Sequence, residues 1–288
     1  MKEWKEVKET YAEKTWCYGC SNFGILAAAK RALNELSKEN KIELKNVVTV
    51  VGIGCHAKIY DYLDLNGYYS LHGRVIPAMI GIKIANPELI PIGFAGDGDT
   101  FAEGMNHFVH ACKRNFNINL FVHNNQVFGL TTGQITPTTE KGFKGPTTPF
   151  GSIEEPINPI KIALSAGATF IARGYAMNIE HLSFLIKEAI FHKGFSFVDI
   201  IQPCITYHNS RSFVEKRIYD LQKAEHNTKS FEEAMKKANE WNYSLDENAK
   251  IPIGIFYKIE KPCFEDFFSQ KPLWSMKRRF DKKILEEF

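Results

Sequence analysis

The first two thirds of the chain predict an α/β fold, a doubly wound and mostly parallel sheet with helices on both faces. One observation is a set of short β-branched or aromatic runs at 47–53 (VVTVVGI), 89–96 (LIPIGFAG), 118–124 (INLFVHN), 168–174 (ATFIARG) and 195–201 (FSFVDII). A second is the set of helical patterns around them: SNFGILAAAKRALNELSK, RVIPAMIGIKIANP, TFAEGMNHFVHACKRN, IKIALSAG and NIEHLSFLIKEAIFHKG. Strands separated by helices of this length imply right-handed βαβ crossovers. Taken in order, the segment after the first run, IYDYLDLNGYY, makes a poor crossover helix, with Gly67 near its end. The next helix has Pro77 in its first turn, where proline is tolerated. The last helix repeats apolar residues at three and four, as a core-facing helix requires. From about Thr131 to Pro159 the alternation lapses into a loop rich in proline and threonine. A long unstructured connection inside a compact domain is usually functional.

At 288 residues the chain is near the upper size of a single hydrophobic core. Hydrophobic residues at 44% and charged residues at 24% exclude disordered and fibrous classes. A formal charge of +3 gives no basis for nucleic-acid binding. The opening MKEWKEVKET lacks the apolar core of a secretory signal. The longest apolar stretch, VVTVVGIGC, is roughly half the ~18–20 residues of a membrane span. These features predict a cytoplasmic protein, in which six cysteines are metal ligands or buried thiols rather than disulfides. Residues 209–288 hold 30 of the 69 charged side chains, about twice the earlier density. They read as an appended extension of amphipathic helices, with KSFEEAMKKANEW the clearest, either a solvated tail or an arm or lid. The division expected is therefore 1–208 and 209–288.

Ligands of such sheets bind at the carboxyl ends of the strands, and the chemistry-bearing motifs all fall there. The first strand end reads VVTVVGIGCHA, in which Gly52, Gly54 and Ala57 match G-x-G-x-x-A. The poor crossover helix and the lack of an acid ending the next strand argue against a nicotinamide site. The glycines would instead bring backbone close to a bulky cofactor, with Cys55 at the turn. The second strand end, IGFAGDGDT, sets Asp97 between Gly96 and Gly98 at a helix start. Backbone N–H groups there favour phosphate, and an aspartate fits beside phosphate only with a cation between them. Mg²⁺ held by one carboxylate, one amide oxygen, a backbone carbonyl and diphosphate oxygens meets that need. The amide is expected from LFVHNNQVFG, which places Asn124 and Asn125 at the next strand end, the latter 28 residues after Asp97. A lone GDG is a common turn; GDG followed at this distance by NN, each after a strand, is specific.

Cys17 and Cys20 form a CxxC, Cys55 ends the first strand and Cys204 ends QPC after the last. One pair plus two singles at strand ends suits a [4Fe–4S] cluster, and a Cys₄ zinc site remains the alternative. Cys112 and Cys263 read as ordinary thiols.

The spacing GDG–NN resembles the thiamin-diphosphate enzymes. More closely, the chain resembles the beta subunits of 2-oxoacid:ferredoxin oxidoreductases, through WCYGC, GIGCHAKI, LHGRVIPAMIGIKIANPEL, GFAGDGDTFAEGMNHF, NNQVFGLTTGQITPTT and FVDIIQPC. The resemblance runs from Trp16 to Cys204 in the family's order. It implies a diphosphate-binding domain over 1–208, with Asp97, the Asn125 side chain and the Val127 carbonyl holding Mg²⁺, and Cys17, Cys20, Cys55 and Cys204 holding the cluster. Gly54, His56, Gly98, Asp99, Gly129, Leu130 and Thr131 would line the cofactor site with Gly96. Lys58, by its place in GC-x-x-K-I, would hold the substrate, and His72 and Arg74 would face cofactor or coenzyme or tie down their loop. The implied reaction converts a 2-oxoacid, coenzyme A and oxidised ferredoxin to acyl-CoA, CO₂ and reduced ferredoxin, and runs in reverse in some organisms. It implies a hetero-oligomer in which an alpha subunit, with or without a gamma subunit, brings the pyrimidine-binding domain. His56 stands where many relatives have serine, which bears on substrate choice.

Overall fold

The computed structural model describes residues 6–268 and 271–276. In chain order the elements are α1 (Asn22–Lys38), β1 (Val47–Val51), α2 (Ile59–Tyr62), β2 (Asn66–Tyr69), α3 (Val75–Ala85), β3 (Ile90–Gly96), α4 (Met105–Arg114) and β4 (Asn119–Asn124). A two-residue ribbon, β5 (Val127–Phe128) with β6 (Gln134–Ile135), precedes α5 (Pro159–Ala166), β7 (Phe170–Tyr175), α6 (Ile179–Phe191) and β8 (Ser196–Ile201). Then follow α7 (Arg211–Glu215), β9 (Ile218–Asp220), α8 (Phe231–Ala238) and β10 (Ile251–Lys258). An eight-stranded sheet runs β2-β1-β3-β4-β8-β7-β10-β9. All its pairings are parallel except that of β10 with β7.

The side-chain period of two along each strand divides the core into two layers. Val51, Phe94, Phe121, Ala172 and Val198 face α1 and α6. Their neighbours Val50, Ala95, Leu120, Ile171 and Phe197 face α3, α4, α5 and α8. Both faces are covered, so the strands read as nearly continuous apolar runs. Helix ends follow their own chemistry: Asn158 caps α5 by accepting from Lys161 N (3.2 Å), with Pro159 next and Gly167 left-handed at the other end (φ 88°). Between β1 and β2 there are two short helical turns, a 3-10 turn at Cys55–Lys58 and α2, then an exposed parallel edge strand of four residues. No described helix is long and apolar enough to cross a membrane.

The extension holds the expected helix, as α8, and also completes the sheet. β10 pairs with β7, and Trp241, Tyr243, Ile251 and Ile253 form a third apolar cluster with Tyr175 and Ile201. Residues 277–288 of the extension lie outside the described residues. Within this join a charge is buried. Arg173 on β7 stands opposite Asp199 on β8, with Nε 3.3 Å from Asp199 Oδ2 and both side chains fully buried. Its Nη2 donates to Tyr243 Oη (2.9 Å) and Nη1 to the Pro252 carbonyl (3.4 Å), both from the extension. The guanidinium also lies over the rings of Trp241, Tyr243 and Phe256. Removing one partner strands the other charge in the core, so Arg173→Leu should cost about 3–5 kcal/mol in urea unfolding. A loss below about 1 kcal/mol would show that the carboxylate finds another partner.

Candidate cofactor and cluster site

Because β1, β3, β4 and β8 lie side by side, the segments leaving their carboxyl ends meet. One cleft there is lined by Gly54, Cys55, His56, Gly96, Asp97, Gly98, Asp99, Asn125, Val127, Gly129, Leu130 and Thr131, together with His72. Ile53, His123, Phe128 and Gln202 line it too; these four were not singled out from the sequence. His123 follows Phe121 by two residues on β4, and its Nδ1 is 2.8 Å from Asn22 Oδ1 at the start of α1.

Asp97 is 2% exposed. Thr136 Oγ1 and Thr138 Oγ1 donate to its Oδ2 at 2.5 and 2.7 Å. Burial pushes the carboxyl up to about 6, against the pull of those hydroxyls and of the Asn125 backbone. A buried carboxylate in that position is one a cation would relieve. The chain reverses after β4 through Gln126, held left-handed at φ 61°. Such a backbone state persists only where surroundings enforce it; here Gln126 Nε2 donates to the carbonyls of Thr138 (2.9 Å) and Tyr243 (3.0 Å). The reversal returns Val127 to the cleft, and its N–H donates to Asn125 Oδ1 (3.1 Å). Asp97, Asn125 and Val127 together supply the carboxylate, amide and carbonyl types that Mg²⁺ takes beside a diphosphate.

Asp99 lines the cleft and turns its carboxyl toward the neighbouring loops. Its Oδ1 accepts from Gly73 N (2.5 Å), its Oδ2 is 3.2 Å from His56 Nε2, and His72 Nδ1 is 3.7 Å from Oδ1. It therefore joins the turns after β1 and β2. Gly52 leaves the room for it, since a Cβ there would overlap the carboxyl. Arg74 serves the same loop, donating through Nη1 to the Gly73 and Glu103 carbonyls (both 3.1 Å). Neither Arg74 nor Lys58 lines the cleft; Lys58 Nζ donates to the Thr15 carbonyl (3.0 Å).

The four cysteines come from strand ends and the N-terminal segment, and specific contacts draw them in. Trp16 Nε1 donates to the Cys55 carbonyl (2.6 Å), Ser21 Oγ to the Pro203 carbonyl (3.0 Å), and Gln202 Nε2 lies 3.9 Å from Cys20 Sγ. Burial pushes the Cys20 thiol up to about 11, and the nearby Cys55, Cys204 and Cys17 thiols add to it. Burial likewise raises Cys55, with Lys58 opposing. Among the described residues no three His, Cys, Asp or Glu side chains converge at the distances of a single bound metal ion. Gly129 lies between the two groups of residues. A Cβ placed on it would stand 3.8 Å from both Cys55 Sγ and Cys204 Sγ and 3.5 Å from Asn125 Nδ2.

A parallel sheet with this carboxylate-and-amide pair at adjoining strand ends defines a thiamin-diphosphate-type domain. Residues 52–200 match the family model described as thiamine pyrophosphate enzyme, C-terminal TPP binding domain. Residues 204–271 match the C-terminal model of the pyruvate ferredoxin oxidoreductase beta subunit. The chain is 42% identical over 266 residues to a 2-oxoacid:ferredoxin oxidoreductase subunit beta of Sulfolobus sp, covering 87% of this chain and 84% of that one. It is 38% identical to a 2-oxoglutarate synthase subunit KorB of Archaeoglobus fulgidus, over 88% of this chain and 86% of the relative. Its fold superposes on 2-oxoglutarate:ferredoxin oxidoreductase from Magnetococcus marinus, solved with 2-oxoglutarate, coenzyme A and succinyl-CoA bound. That match has a TM-score of 0.86 and 29% identity, covering 97% of this chain and 94% of the other. The chain belongs to the family of 2-oxoacid:ferredoxin oxidoreductase beta subunits.

Proposed function

We propose that this beta subunit, joined to an alpha subunit with or without a gamma subunit, carries out thiamin-dependent oxidative decarboxylation of a 2-oxoacid. The products are acyl-CoA and CO₂, and two electrons leave singly through a [4Fe–4S] cluster to ferredoxin; the reverse direction uses the same parts. The observation that carries this reading is the place of Gly129, where a single added Cβ would lie within 4 Å of the Asn125 amide and of the Cys55 and Cys204 sulfurs. Electrons generated at one site then have a short path to the other.

Asp97, the Asn125 side chain and the Val127 carbonyl would hold Mg²⁺ against the diphosphate. Cys17, Cys20, Cys55 and Cys204 would hold the cluster. When bound, thiamin diphosphate supplies the electron sink that lets a 2-oxoacid lose CO₂. The chain's own residues orient and enclose. Gly96, Gly98 and Gly129 admit the cofactor close to the backbone, and Phe128, Leu130 and Ile53 keep the cleft wall apolar. His56, its Nε2 3.2 Å from Asp99 Oδ2, and His72 present imidazoles to the cleft. Lys58, one helical turn beyond Cys55, would reach substrate from the rim once released from Thr15. The aminopyrimidine end needs a second domain, which the alpha subunit supplies.

Anaerobic co-purification with the neighbouring subunits tests this reading, followed by iron and sulfide analysis and a panel of 2-oxoacids with coenzyme A and a viologen. The expected result is coenzyme A-dependent viologen reduction that needs both subunits. Full-rate turnover by this chain alone, or decarboxylation with no electrons delivered, would contradict it.

A further inference from the structure

The carboxylate that would hold Mg²⁺ is one end of a buried hydrogen-bonded chain that crosses the sheet to the C-terminal extension. Thr138, fully buried, has one hydroxyl proton and three oxygens in reach of it: Asp97 Oδ2 at 2.7 Å, Asn124 Oδ1 at 3.0 Å and Thr136 Oγ1 at 3.3 Å. Asn124 is not free to turn. Its Nδ2 donates to Asp199 Oδ1 (3.0 Å), and a carboxylate, which only accepts, fixes the amide that way round. Asp199 is fixed in turn, with Oδ2 taking the Tyr243 hydroxyl (2.5 Å) and Arg173 Nε (3.3 Å). Thr136 donates to the same Asp97 oxygen as Thr138, which leaves that oxygen doubly served in the absence of a cation.

We propose that Thr138 is a positioning residue for the cation site, its direction set by the Arg173–Asp199–Tyr243 node through the Asn124 amide. When a cation takes Asp97, the Thr138 hydroxyl keeps its bond to Oδ2, with Asn124 Oδ1 holding it from the other side. The Asp97 carboxylate is thus held in one orientation before and after binding, and residues of the extension become part of the cofactor site at a distance. This inference rests on the cofactor reading above.

The test uses the complete complex, stripped of cofactor with a chelator and titrated with Mg²⁺ at fixed thiamin diphosphate, binding being followed by calorimetry. Thr138→Val should raise the Mg²⁺ concentration at half-saturation about 10- to 100-fold, as loss of a ligand's supporting partner does. Thr138→Ser, which keeps the hydroxyl, should titrate within about twofold of wild type, a result below the ~2–30-fold effects of altered coupling. Tyr243→Phe keeps the ring stacked on Trp241 and removes only the hydroxyl; it should weaken Mg²⁺ roughly threefold or more. Equal half-saturation in Thr138→Val and wild type, or a serine variant as weak as the valine, would overturn the inference while leaving the cofactor reading intact. So would a Tyr243→Phe complex that melts earlier yet binds Mg²⁺ unchanged, which would make the node a brace of the fold alone. Thiamin diphosphate uptake by wild type with no Mg²⁺ dependence would overturn the cofactor reading and the inference together.

Discussion

Asp97→Ala is expected to weaken Mg²⁺-dependent binding of thiamin diphosphate by more than about 100-fold, since even partners one bond removed from a metal ligand are worth 10–100-fold. The fold should survive the change. Burial raises this carboxyl to about 6, so above that pH the folded chain bears the cost of an ionised group that water solvates better. Alanine removes that cost, and Thr138 can turn its hydroxyl to Asn124 Oδ1, 3.0 Å away. Melting temperatures of cofactor-free wild type and variant should therefore lie close together. They should separate only with Mg²⁺ and thiamin diphosphate present, where a ligand at 100 times its Kd stabilises the wild type by about 2.7 kcal/mol. A variant that still gains that increment would remove Asp97 from the cation site.

Cys204→Ser is expected to abolish the intact cluster and with it coenzyme A-dependent reduction of an external acceptor, while thiamin diphosphate still binds. The separation follows from geometry. Cys204 does not line the cofactor cleft, and no hydrogen bond joins its sulfur to Asp97 among the described contacts. Cys112→Ser and Cys263→Ser are the matched controls. Cys112 is fully buried on the inner side of α4 and its thiol is pushed far up by burial, which makes it a packing residue. Cys263 is buried beside Asp266 and raised to about 11. Iron content should be unchanged in both. Loss of iron from a control, or its retention in Cys204→Ser, would mean that the cluster assignment is wrong.

The five strand runs singled out from the sequence correspond to β1, β3, β4, β7 and β8 within about two residues at each end. They were legible because strands buried on both faces carry unbroken β-branched and aromatic residues. β2 was not, because its four residues are all exposed and include Gly67, so nothing in NGYY signals pairing. β10 was hidden for another reason. Its IPIGIFYK carries an interior glycine and a proline, which ordinarily argue against a strand, and it sits within the highly charged extension.

The cleft residues were legible where a strand end and a motif coincided, as at Asp97 and Asn125. The supporting set was not. Thr136 and Thr138 lie in a loop where threonine is commonplace, and only the fold reveals that both reach one carboxylate. A readable signal for Arg173 and Asp199 did exist: a single opposite charge in each of two apolar runs, FIARG and FSFVDII. Two such charges, buried in neighbouring strands, require each other.

On the function proposed above, one chain places a thiamin-dependent reaction and an iron–sulfur cluster close enough for direct electron transfer. The most direct measurement is low-temperature electron paramagnetic resonance of the anaerobically purified complex, mixed with a 2-oxoacid and no external acceptor. A reduced-cluster signal should appear on mixing and be missing in both Asp97→Ala and Cys204→Ser. A complex that releases CO₂ while its cluster stays oxidised, or whose four cysteines bind zinc in place of iron, would contradict it.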